Sequence, residues 1–82
     1  MFVLFDSLDK NPLRGSYKSL DDARKSAMKR KAPSVYVCVM QVDGSADAVG
    51  TVINDNAYGH PIYSVGGSEY ELNQNGSLGR RL

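Results

Sequence analysis

The chain has 82 residues and carries ten Lys or Arg against nine Asp or Glu, a net charge of +1. A chain this short buries only about 60–65% of its extended surface, so it holds one core and one domain, residues 1–82. A balance so close to neutral does not mark a nucleic-acid binder and excludes the acidic excess of a DNA mimic. The lone cysteine, Cys38, excludes an intramolecular disulfide and fits a cytoplasmic setting better than an oxidising one.

In chain order, Phe2-Val3-Leu4-Phe5 is a short run of strand formers followed at once by Asp6. With no basic lead and no long apolar stretch, it reads as a first strand and not as a signal peptide. A loop rich in Asp9, Asn11, Pro12 and Gly15 follows. The segment LRGSYK after it either extends a hairpin with the first strand or leads into a helix, and periodicity over so few residues does not separate the two. Ser19-Leu20-Asp21-Asp22 is a helix start: the Ser side chain can accept from a first-turn N–H, and two acids sit at the positive end of the helix dipole. Leu20, Ala23, Ala27 and Met28 form an apolar stripe opposite Arg24, Lys25, Lys29 and Lys31. Asp21 stands one turn before Lys25, and Pro33 is expected to end the helix near Ala32.

Residues 34–42, SVYVCVMQV, predict a central strand. Val35, Val37 and Val39 share the face expected to receive the helix, and Tyr36, Cys38, Met40 and Val42 share the other, which should also be partly covered. Asp43-Gly44 opens a turn, 48–53 returns with Gly50 as a candidate bulge, and 54–61 is a polar loop. Ile62–Val65, Gly66-Gly67 and Glu69–Leu72 predict a second hairpin, with Tyr70 and Leu72 on one face. Asn75-Gly76 is a further turn, and 79–82 is expected to be a mobile basic end. The expected fold is therefore α+β: a single helix packed on a mostly antiparallel sheet of four to five strands, in the order β-α-β-β-β(-β).

Chemistry has little to build on. Cys38 and His60 are the only thiol and the only imidazole. A thiolate enzyme needs such a pair in contact with a third orienting group, whereas Cys38 sits among Val and Met as a buried strand residue would. One Cys and one His fall short of a zinc site. Residues 54–59 have the polar alternation of a calcium loop, but Val65 occupies the twelfth position, where a bidentate Glu is required. No phosphate-binding glycine motif is present. The expectation is a protein without enzymatic activity, cofactor or metal. No run approaches the ~18 apolar residues of a membrane-spanning helix.

Two surfaces remain as candidates. One is the cationic face of the helix, Arg24, Lys25, Lys29, Arg30 and Lys31, with Arg80 and Arg81 as an added arm. The other is the loop around His60, flanked by Tyr58 and Tyr63, because exposed tyrosines favour protein interfaces. In size and plan the chain resembles the small accessory proteins of bacteriophages, including anti-CRISPR inhibitors: a strand, a capped helix at SLDDARKSAMKRK, then hairpins at VYVCVMQVDG and AVGTVINDN. The resemblance rests on architecture and transfers no site residues. The absence of catalytic chemistry leads to the expectation of a protein-binding module that docks on a larger protein or ribonucleoprotein assembly. Edge strands at 1–5 or 69–72 could pair two copies, so a monomer or homodimer is expected. The alternative expectation is a small nucleic-acid-binding protein that uses the basic helix face.

Overall fold

The structure, a computed structural model, spans residues 1–82. It contains strands β1 (Phe2–Asp6) and β2 (Pro12–Tyr17), helix α1 (Leu20–Met28), then strands β3 (Ser34–Met40), β4 (Ala46–Ile53), β5 (Ile62–Val65), β6 (Ser68–Leu72) and β7 (Leu78–Arg81). All seven strands join one sheet in the order β2-β1-β3-β4-β5-β6-β7, and every pairing is antiparallel. The fold is α+β with one helix on one sheet, but the sheet has seven strands where the sequence suggests four to five. Its order is β-β-α-β-β-β-β-β.

The two additional strands are the edges, and each has a reason to be faint in the sequence. In β2 only Leu13 and Tyr17 turn toward the core, and Pro12 and Gly15 interrupt any alternation. Its pairing with β1 is made by backbone groups, for which side-chain pattern is a poor guide. The LRGSYK segment thus completes a hairpin. At the opposite edge, residues 79–81, expected as part of a trailing end, belong to β7, and the Leu82 N–H donates to the Glu69 carbonyl at 2.8 Å. Here the Asn73–Ser77 turn folds the chain back, and β6 supplies the hydrogen-bond partners.

The helix starts where its cap predicts. Ser19 has extended backbone angles, and its Oγ accepts from the Asp22 N–H at 3.1 Å, an arrangement worth about 1 kcal/mol. It is shorter than Pro33 alone would allow, stopping at Met28 with Lys29 as its cap. At the exit the Asn54 side-chain amide donates to the Ala27 carbonyl of the last turn at 3.0 Å and to the Ala32 carbonyl beyond the helix at 3.1 Å. The backbone N–H groups of Asn54 and Asp55 both donate to the Pro33 carbonyl. The polar 54–61 loop therefore fixes the helix exit, a long-range pairing that local propensity does not contain.

Leu4, Val35, Val37, Val52 and Tyr63 form the buried core together with Ala23 and Ala27 of α1. The two alanines let the helix approach the valine face closely. A bulge at Val49 shifts the β3–β4 register beside Gly50, and the Tyr63 ring lies over the Gly50 backbone where a side chain would stand. The Gly66-Gly67 turn closes the β5–β6 hairpin with positive φ at both residues, the two-residue geometry that glycine favours.

The strand at 34–42 is shorter than expected, ending at Met40 and leaving Val42 fully exposed. The far face of the sheet carries Val3, Phe5, Tyr36, Cys38, Met40, Ala46, Ala48, Thr51 and Ile53. The only helix lies on the opposite side, yet this face is partly covered, as expected: Cys38 is 4% and Ile62 1% exposed, and the Lys10 ammonium reaches over the Tyr36 ring to 4.7 Å from its centre.

Candidate functional site

Of the ten residues singled out from the sequence, Arg80 and Arg81 lie in β7, where Arg80 pairs with Glu71 at 3.0 Å, and the other eight separate into two groups. Arg24 and Tyr63 are buried, and the half-buried Arg30 is tied down by hydrogen bonds. Arg24 is 6% exposed; its Nε donates to the Gly76 carbonyl at 2.7 Å and its Nη2 pairs with Asp21. The guanidinium also stands 5.0 Å from the centre of the Tyr63 ring. Asp21 thus serves Arg24 three residues on, and not Lys25 as helix spacing suggests. Tyr63 is 2% exposed. Burial raises its phenol pKa, and the neighbouring Arg24 charge opposes part of that rise. Arg30 donates to the Arg14 carbonyl and to Tyr17 Oη at 3.1 Å, tying the helix exit to β2. These three side chains hold elements together and offer a partner little.

The second group faces solvent. Lys25, Lys29, Lys31, Tyr58 and His60 are exposed, and Lys25 and Lys29 have no carboxylate within ion-pair distance. Lys25 and Met28 of α1 and its cap Lys29 form one wall of a groove of about 670 Å3, which His60 and Pro61 close from the loop before β5, and Leu72 of β6 with Gln74 and Asn75 of the turn after it from the other side. The fold thus brings His60 to the two lysines across some thirty residues of sequence. On the other side of the same lysine pair a second hollow of about 460 Å3 adds Ser16, Tyr17, Lys18, Asp22 and Ser26. Lys25 and Lys29, one turn apart, are the ridge between the two.

Tyr58 stands beside the groove without lining it. Its ring centre lies 6.3 Å from that of His60, and its hydroxyl donates to Glu69 Oε1 at 3.3 Å. The Glu69 charge and that hydrogen bond hold the Tyr58 pKa above its ordinary value. Lys31 lines neither hollow. The sequence reading missed Met28, Pro61, Leu72, Gln74 and Asn75 as groove residues, and Lys18 at the second hollow. Only Met28 and Leu72 left a trace there, as apolar residues on the helix stripe and the β6 parity.

Cys38 is on the other side of the sheet. It is 4% exposed and lies in a hollow with Phe5, Tyr36, Ala46 and Ala48, not in the groove that holds His60. Burial first, and the Asp47 charge second, raise the thiol pKa, which disfavours the nucleophilic thiolate. The folded state therefore holds this proton more tightly than the unfolded chain. Its contribution to stability is complete below the ordinary thiol pKa and drains away as pH rises through the raised value. In alkaline denaturant titrations, Cys38→Ala is expected to flatten the loss of stability above about pH 9. An unchanged slope would assign that loss to other groups.

Comparison of the chain with protein-family models, with curated proteins and with solved structures gave no match. No helix is long and apolar enough to cross a membrane.

Proposed function

We propose that the protein is a non-enzymatic binding module that docks on a larger protein assembly through the groove between α1 and the His60 loop. The observation that carries this reading is the composition of the groove: two unpaired lysines and an imidazole around an apolar floor of Met28, Pro61 and Leu72. An acidic protein surface with one or two protruding apolar side chains matches that arrangement, the charges steering encounter and the floor supplying area. Inhibition of a host assembly, the role of the small phage proteins it resembles in plan, is one form such docking takes. The raised pKa of Cys38 and its separation from His60 support a role without thiol chemistry.

The adjoining hollow favours a second reading. Lys18, Lys25 and Lys29 surround it with the hydroxyls of Ser16, Tyr17 and Ser26, a set of donors that could follow a phosphate backbone. One experiment distinguishes the two. The tagged protein and its Lys25→Glu, Lys29→Glu double variant are used to recover partners from bacterial lysate, with and without nuclease and at two salt concentrations. A stoichiometric protein partner that survives nuclease and is lost in the double variant is the expected result. Recovery that collapses with nuclease would overturn it in favour of nucleic acid. In that case neutralising both lysines should lower the slope of log affinity against log salt by about 1.4 for a single strand. A partner retained by the double variant would rule out the groove.

A further inference from the structure

The hollow between the end of β2 and the helix holds hydrogen-bond donors that the chain itself leaves unanswered. Lys18, just past β2, faces Lys25 of α1 and its cap Lys29 across it. None of the three has a carboxylate within ion-pair distance. Tyr17 and Ser26 add a pair of hydroxyl groups whose oxygens lie 2.7 Å apart. Arg30 Nη2 donates to both oxygens, at 3.1 Å and 3.4 Å. A guanidinium accepts nothing. Of the two hydroxyl hydrogens, one is therefore used between the pair and the other has no acceptor in the chain. Both residues line the hollow, so the spare hydrogen is available to its occupant.

We propose that this hollow is a binding site for a phosphate monoester. Charge and donor count select that ligand. Three ammonium groups and one carboxylate, that of Asp22, line the hollow and leave it a net +2. A monoester near neutral pH carries about −1.5 to −2 on three strong acceptor oxygens. The three ammonium groups and the spare hydroxyl hydrogen supply donors to all three. A carboxylate ligand brings one charge and two oxygens, which leaves donors unmatched. A phosphodiester chain calls for cations laid out along its course, whereas these surround one hollow of about 460 Å3, and Asp22 on its wall repels a second phosphate. The site thus suits a small phosphate or the phosphorylated side chain of a partner better than a nucleic-acid backbone.

Tyr17, Lys18 and Ser26 line this hollow and not the α1 groove, so the inference does not rest on docking through the groove, and its failure would leave that reading standing. The test is a titration of the full chain at low salt, where screening is weakest, followed by amide chemical shifts. The probes are inorganic phosphate and a blocked tripeptide of phosphoserine between two alanines. The expected result is saturable shifts at Lys18, Ser26 and Lys29 with both, and none with the unphosphorylated peptide. Affinity should fall at least about threefold in Lys18→Gln and rise about two- to threefold in Asp22→Asn, opposite signs that damage to the fold does not produce. Tyr17→Phe or Ser26→Ala alone keeps one free hydroxyl hydrogen and should bind nearly as well as the parent, whereas the two together should weaken binding, with circular dichroism verifying that the double variant folds. Tighter binding of the phosphopeptide assigns the site to a phosphorylated side chain, and tighter binding of inorganic phosphate assigns it to a free anion. No saturable shift up to about 20 mM phosphate, well beyond a millimolar Kd, overturns the proposal. So does binding indifferent to both Lys18→Gln and Asp22→Asn, or an oligothymidine without terminal phosphates that binds the same residues more tightly per phosphate, which would assign the hollow to nucleic acid.

Discussion

Gly76→Ala is expected to destabilise the domain by about 3–5 kcal/mol, enough to remove much of the stability of a chain this size. Gly76 is buried in the turn from β6 to β7, with φ at +90°. A methyl group there would run into the Asp21 carbonyl and approach the Lys25 nitrogen to 2.8 Å, and both are helix backbone that cannot yield cheaply. Relief requires the turn to move off α1, which breaks the Arg24–Gly76 hydrogen bond and loosens the pairing of β7 with β6. Gly44→Ala provides the comparison: φ is +88° but nothing lies within 4 Å of the added carbon. That variant should lose only about 1–2 kcal/mol for the left-handed backbone. In thermal unfolding the difference between the two should be at least about 4 °C, since 1 kcal/mol moves the midpoint of a small domain by roughly 4–8 °C. Equal midpoints would mean that the turn does not bear on the helix.

Elements dictated by side-chain pattern were legible in the sequence, and contacts made by backbone or across the fold were not. The Ser19 cap, the valine face of β3 and the Gly66-Gly67 hairpin each follow from a few neighbouring residues, and each occurs where expected. The edge strands β2 and β7 exist because a neighbouring strand offers unpaired backbone groups, information held in the neighbour. The helix exit depends on Asn54, twenty-two residues beyond Ala32. Charge pattern on α1 was readable as a cationic face, yet it could not say which cations are free. Arg24 and Arg30 reach inward because Gly76, Asp21, Arg14 and Tyr17 surround them, whereas Lys25 and Lys29 meet only solvent and the groove. The guanidinium, planar and weakly hydrated, is the cation better suited to burial, which in retrospect is the one local signal that could have divided the cluster.

That division leads to the second large effect. Arg24→Met, which keeps an unbranched apolar stem and removes the guanidinium, is expected to lose about 2–3 kcal/mol. It leaves the Gly76 carbonyl without its charged donor in a buried turn. If the destabilisation is transmitted through that carbonyl, Arg24→Met and Gly76→Ala should be less than additive in a double-mutant cycle, by about 1 kcal/mol or more, because either change alone releases the same turn. The variant also has a spectroscopic signature that simple loss of packing would not produce. Without the Arg24 charge beside its ring, Tyr63 loses the influence that opposes desolvation, so its ionisation, followed by tyrosinate absorbance in the folded protein, should move to still higher pH. Partner binding, measured where the variant is fully folded, should persist in Arg24→Met and fail in the Lys25, Lys29 double variant. A loss of binding in both would return Arg24 to the interface, and an unchanged Tyr63 titration would show that its guanidinium does not act on the ring.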